Sequence, residues 1–144
     1  MTAHWIGVAA GRHVEIGVRD GFAMFAHGTH AAAKRLAAGD WVTYYSPREG
    51  MNEGAELRAF TAIGYALPGE PEQREMASAT TGWMRRMKWL DSRPADIYPL
   101  LDRLSFVTDR QHWGMYFRKS LFKVTESDFS LIATAMGVSL DRKP

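Results

Sequence analysis

The chain has 144 residues, 46% of them hydrophobic, with no cysteine and a formal net charge of +2. That length and composition suit one globular domain over residues 1–144 and exclude a disulfide scaffold, a thiolate metal site and a cysteine nucleophile. No apolar run approaches a membrane span, no signal-peptide pattern opens the chain, and so small a net charge does not by itself announce a polyanionic partner. A monomer without membrane association, in a reducing, cytoplasmic setting, is the expectation.

Residues 4–10 (HWIGVAA) are apolar throughout, which predicts a strand buried on both faces and stopped at Gly11. Arg12 to Val18 fits a short helix with Val14 and Val18 one turn apart on a shared face. Asp20-Gly21 reads as a turn, and Phe22 to Ala26 as a second short strand ending at His27-Gly28. Ala31 to Leu36 has good helix propensity, with Thr29 placed to cap it. Gly39-Asp40 is a turn pair before Trp41-Val42-Thr43-Tyr44-Tyr45-Ser46, a β-branched and aromatic run that predicts the central strand. Pro47 has no backbone N–H and is expected to end its pairing.

A polar loop over residues 48–56 leads to a strand over 57–66, returning antiparallel to the central one. Residues 68–81 read as a long loop. From Trp83 to Leu90 the pattern alternates, with Trp83, Arg85, Met87 and Trp89 on one face. Asp96 is placed to cap a helix whose Ile97, Leu100, Leu101 and Leu104 form an apolar stripe. Residues 113–124 are irregular, then strand-like. Thr125-Glu126-Ser127-Asp128 resembles a capping box before a last helix with Phe129, Ile132, Ala133 and Met136 on its apolar face and Gly137 as its stop. About six short, mostly antiparallel strands flanked by helices give the α+β class, with the strands in a small curled sheet or barrel. Charge is uneven: between Arg85 and Lys123 bases outnumber acids, only Asp91, Asp96, Asp102 and Asp109 opposing them.

Several stretches in this order carry a likeness: residues 4–8 (HWIGV), 34–46 (KRLAAGDWVTYYS) and 60–64 (FTAIG), then 99–106 (PLLDRLSF), His112-Trp113-Gly114, Phe117-Arg118 and Leu121-Phe122. Together they resemble the EVE domain of the PUA-like superfamily, in its small stand-alone bacterial form, from His4 to about Met136. The resemblance implies a PUA-like β-barrel flanked by helices. It also implies a pocket for a flipped-out, often modified nucleobase, as in the related YTH and ASCH domains. Carried onto this chain, that pocket involves Phe25, His27 and Gly28 at the second strand's end, Tyr45 and Ser46 at the central strand's end, and Trp83. Many relatives have Trp near the second strand; this chain has Phe22 and Phe25, which are weaker stacking surfaces.

A nucleobase reader needs flat aromatic faces, a few groups for the base edge, and cations for phosphate. Phe25, Tyr45, Trp83 and Trp113 supply faces; Ser46, His27 and the Gly28 amide supply hydrogen bonds; Arg48, Arg85, Arg103 and Arg118 supply charge. Against this stands the plainer reading of these aromatics as core residues with satisfied polar tips. His27 and His30 could meet one metal, but no third ligand stands at a matching spacing, so neither metal nor cofactor is expected. No nucleophile-elbow pattern surrounds Ser46. The leading expectation is a non-catalytic domain binding DNA or RNA through a base, modified or not. The alternative is a small enzyme, such as an ASCH-like amidohydrolase, or a metabolite binder using the same pocket on a free nucleoside; the first strand ends Ala9-Ala10-Gly11-Arg12 and lacks the Lys that amidohydrolase relatives use.

Overall fold

The computed structural model describes residues 2–76 and 80–142. Its elements in chain order are β1 (His4–Val8), α1 (Gly11–Asp20), β2 (Phe22–Ala23), α2 (His30–Lys34), β3 (Trp41–Gly50), β4 (Glu53–Ala66), β5 (Glu72–Glu75), β6 (Thr81–Trp89), β7 (Ala95–Asp96), β8 (Leu121–Val124) and α3 (Glu126–Ala135). Short 3-10 helices lie at Ala26–Gly28, Tyr98–Leu100, Arg110–Arg118 and Leu140–Arg142. The strands run β2-β6-β4-β3-β1-β8, with β5 added on β6 and β7 on β4. Every pairing is antiparallel except β1 with β3, which the α1–β2–α2 crossover makes parallel. The result is a mixed α+β architecture, a strongly curled six-strand half-barrel flanked by helices, as the sequence predicts.

β3 is central, and Trp41 to Ser46 are all buried. Strand alternation sends its side chains to two cores. Trp41 and Tyr45 join Ile6, Phe60, Ile63 and Tyr65 under the 3-10 segments and α3, where Leu100, Leu104, Phe117, Phe129 and Ile132 pack. Val42 and Tyr44 join Trp5, Ala62, Phe25 and Val14 on the side covered by α1 and α2.

Local differences from the sequence reading have physical causes. In α1 the residues facing the core are Gly11, Val14 and Gly17, so Val18 is exposed and the expected Val14–Val18 stripe does not form. β3 continues past Pro47 to Gly50 because register shifts accommodate the missing N–H. The expected loop over 68–81 contains β5, paired along β6, and its residues 77–79 lie outside the described residues. The stripe from Ile97 to Leu104 is buried as expected, but on a 3-10 turn, with the Asp96 carboxylate accepting from Tyr98 N–H at 3.0 Å. Thr125 caps α3 by accepting from Asp128 N–H at 3.1 Å. Asp128 does not close the reciprocal half of a capping box; it turns to Ser105, accepting from its N–H at 2.9 Å and its hydroxyl at 2.6 Å.

The turn before β3 is built on Asp40, which is 3% exposed. One carboxylate oxygen accepts from Ala3 N–H, and the other from the Trp5 indole N–H and Ala37 N–H, each at 3.0 Å. Asp40→Ala leaves three donors unpaired in a largely dry site, and urea denaturation should show a loss of about 3 kcal/mol or more, with Asp40→Asn in between.

His13, on α1, holds its Nε2–H toward the Met24 carbonyl at 3.1 Å, beneath the Tyr44 ring. Desolvation lowers its pKa from the ordinary 6.5, the Met24 bond opposing and nearby His27 adding to the shift. Below that value the unfolded chain takes up a proton the native imidazole resists. The His13 contribution is therefore complete above 6.5 and declines as pH falls. Denaturation curves between about pH 7 and 5 should show His13→Gln losing less stability on acidification than the wild type.

Candidate functional site

Pairing of β3 with β4 shifts register between Tyr44 and Tyr45, between Ser46 and Arg48, and between Arg48 and Gly50. The middle shift straddles Pro47, which offers no N–H, and β4 accommodates it with an extra residue, forming a bulge. There Arg58 takes a left-handed backbone, φ 46°, at a place where glycine is usual. For a residue with a Cβ this costs roughly 1–2 kcal/mol. Its surroundings hold it: the Arg58 carbonyl accepts Ile97 N–H at 3.0 Å, Nη1 donates to the Tyr98 hydroxyl, and Nη2 donates to Glu56 at 3.2 Å.

The bulge aims Arg58 into a recess of about 410 Å³ whose other lining residues are Tyr45, Pro47, Trp113, Gly114 and Phe117. Tyr45 and Phe117 stack at 4.2 Å, and Trp113 stands edge-on to them at 6.4 and 6.1 Å. Tyr45 is 2% exposed, yet among the described residues neither its hydroxyl nor the Trp113 indole N–H makes a hydrogen bond. Burial raises the Tyr45 pKa, with Arg58 opposing and Tyr98 and Asp96 adding, so the hydroxyl is neutral and lies toward the Arg58 side of the recess.

Across the wall formed by Phe106, Tyr116 and Phe117 runs a broader groove of about 890 Å³. Arg35, Arg118, Lys119 and Lys123 line it, with Phe106, Met115, Tyr116 and Phe122 between them and no carboxylate. Arg35 donates to the Leu121 carbonyl at 3.0 Å and lies 4.9 Å from the Trp5 ring centre; Lys123 lies 5.2 Å from the same ring.

The residues singled out from the sequence divide between the two faces of the sheet. Tyr45 and Trp113 meet in the recess, while Phe25, His27, Gly28 and Trp83 lie on the α1–α2 side, so no single pocket contains the set. Phe25 is 3% exposed and packs on Tyr44 at 5.5 Å. Ser46 is fully buried and hydrogen-bonded to Thr61 at 2.7 Å, which closes it to a ligand in this conformation. Gly28 sits where a Cβ would come within 2.8 Å of Gly82 Cα, a close backbone approach. It ends a run of left-handed backbone, Ala26, His27 and Gly28 at φ 50°, 59° and 81°, that leaves His27 exposed. Trp83, half-buried, is covered by the His30 ring at 4.2 Å, and among the described residues no three potential metal ligands cluster.

Of the arginines, Arg118 lines the groove. Arg85 does not: it is 4% exposed and donates to the Leu36 and Leu67 carbonyls, making it a structural tie and not a phosphate contact. Arg48 is engaged in the β3–β4 hairpin with Gly54 and Glu56, its Nε buried without a partner. Arg103 is exposed but lines neither depression. Sequence reasoning missed Arg58, Phe117 and Arg35, and counted Lys119 and Lys123 within the basic run up to Lys123 without singling them out as site residues. Pro47 was the available signal for the bulge, and the alternation of Tyr44 with Tyr45 was the signal for two separate faces.

Comparison with known proteins agrees with this architecture. A UPF0310 protein from Mesorhizobium japonicum is 44% identical over 139 residues, covering 95% of this chain and 93% of its own length. The UPF0310 protein YdcG from Bacillus subtilis is 36% identical, covering 96% and 95%. A crystal structure from Agrobacterium tumefaciens superposes with a TM-score of 0.59 at 13% identity over 96% of each chain. An NMR structure from Rhodopseudomonas palustris gives 0.55 at 17% identity over 99% of each. The solved structures share the fold. Since the EVE domain model also matches residues 3–135, the half-barrel and the order of motifs along it have one source: the chain belongs to the EVE domain family.

Proposed function

We propose that this EVE domain is a non-catalytic nucleic-acid-binding module that takes one base, modified or not, into the recess between Tyr45 and Trp113. The observation that carries the reading is the Tyr45 hydroxyl, which among the described residues has no hydrogen-bond partner and lies in a residue lining an aromatic recess. Uncommitted to any protein group, that hydroxyl can donate to or accept from a bound ligand. Aromatic walls give a base a surface to stack on, and the neighbouring groove has the mixture of cations and rings that tracks a single strand. The recess side chains include no carboxylate, imidazole or amine able to act as a general base, which favours binding over hydrolysis.

Fluorescence anisotropy with labelled single-stranded DNA and RNA tests this directly. Trp113→Ala, which removes a half-buried wall, should weaken binding about 5- to 150-fold, the range for loss of one base–aromatic stack, with little change in melting temperature. Lys123→Ala should lower the salt slope by about one unit. Tight, salt-independent uptake of a free nucleoside, with no oligonucleotide bound, would replace this reading with the metabolite-binding alternative.

A further inference from the structure

The polar side-chain groups around the recess are strongly biased towards donation. Arg58 and the Trp113 indole donate only, and the Tyr45 hydroxyl alone can do both. Glu56 is shared between Arg48 at 3.6 Å and Arg58 at 3.2 Å, so neither guanidinium has a carboxylate to itself, and Asp96, the acid felt by Tyr45, spends an oxygen on the Tyr98 N–H. The Arg58 fork is also pre-positioned, by the Tyr98 hydroxyl on one amino group and Glu56 on the other, above a backbone the bulge holds left-handed. Strained backbone at a side chain that lines a cavity is characteristic of a site where orientation matters.

From this inventory we infer that the recess selects guanine, with Arg58 and the Tyr45 hydroxyl reading its O6 and N7 edge; the inference rests on the base-binding reading above. Guanine presents two adjacent acceptors there with no donor between them, the pattern a guanidinium fork matches. Adenine places its N6 amino donor beside N7, and cytosine presents its N4 amino donor, so each would set a donor against the donors of the recess. Thymine and uracil offer O4 alone on that edge.

The test uses the whole protein and nine-residue oligothymidylates carrying one central guanine, adenine, cytosine or 7-deazaguanine. Guanine should bind about 5- to 150-fold more tightly than adenine or cytosine, the range for one bidentate base contact. The advantage should fall sharply for 7-deazaguanine, which lacks the N7 acceptor. Arg58→Lys should erase the guanine preference while retaining residual binding. Arg58→Gly should do the same in a protein at least as resistant to heat, since glycine accepts the left-handed backbone. Equal affinity for all four oligonucleotides, or a guanine preference that survives both Arg58 variants, would overturn the inference and leave the nucleic-acid reading standing. If no oligonucleotide binds, the broader reading fails and the guanine inference with it.

Discussion

The carboxylate of Asp40 fixes where the central strand begins. By accepting from Ala3, Trp5 and Ala37 it ties the start of β1, the turn after α2 and the first residue before β3 into one buried junction. Strand register is an all-or-none property, since a slip of one residue sends every side chain to the opposite face. Anchored at this point, β1 pairs in parallel with β3 from His4 opposite Trp41 to Val8 opposite Tyr45. The same anchor decides that Tyr44 lies beneath α1 and that Tyr45 reaches the recess. A charge held away from water thus determines which of two adjacent tyrosines lines the recess.

The recess follows from a second constraint. Pro47 cannot contribute an N–H to the β3–β4 ladder, and the extra β4 residue opposite it places Arg58 in a conformation most side chains avoid. The irregularity that weakens the sheet locally also opens it, because a regular ladder would carry Arg58 along the strand instead of out over Tyr45. Trp113 and Phe117 complete the recess from a 3-10 helix outside the sheet, and the other side of that helix borders the basic groove. One short segment therefore separates an aromatic recess from a groove lined by cations.

Much of the fold was readable in the residues because the features that specify it are local. The apolar run of β1, the aromatic and β-branched run of β3, and the Thr125 cap with the Phe129, Ile132 and Met136 face of α3 each state their structure within a few positions. The site was less readable because it depends on relations between distant residues. The sequence placed Phe25, Tyr45 and Ser46 at strand ends, yet Tyr45 and Ser46 lie within β3 and Phe25 beyond β2, and their faces are set by register and bulges, which composition does not encode. Arg85 had the residue type of a phosphate contact; only the approach of the Leu36 and Leu67 carbonyls made it a buried tie. Arg58 gave no signal of its own, since nothing in its neighbours announces a positive φ.

β8 ends the sheet, and the backbone edge turned away from β1 faces the groove. Arg35 occupies the Leu121 carbonyl there, and Lys123 projects from the same strand. Charged side chains on an edge strand oppose the addition of a further strand from another molecule. The cations lining the groove therefore also keep these domains from zipping together edge to edge. Replacing Arg35 or Lys123 by an apolar residue would bare this unpaired edge, a cost in solubility that holds whatever the groove carries.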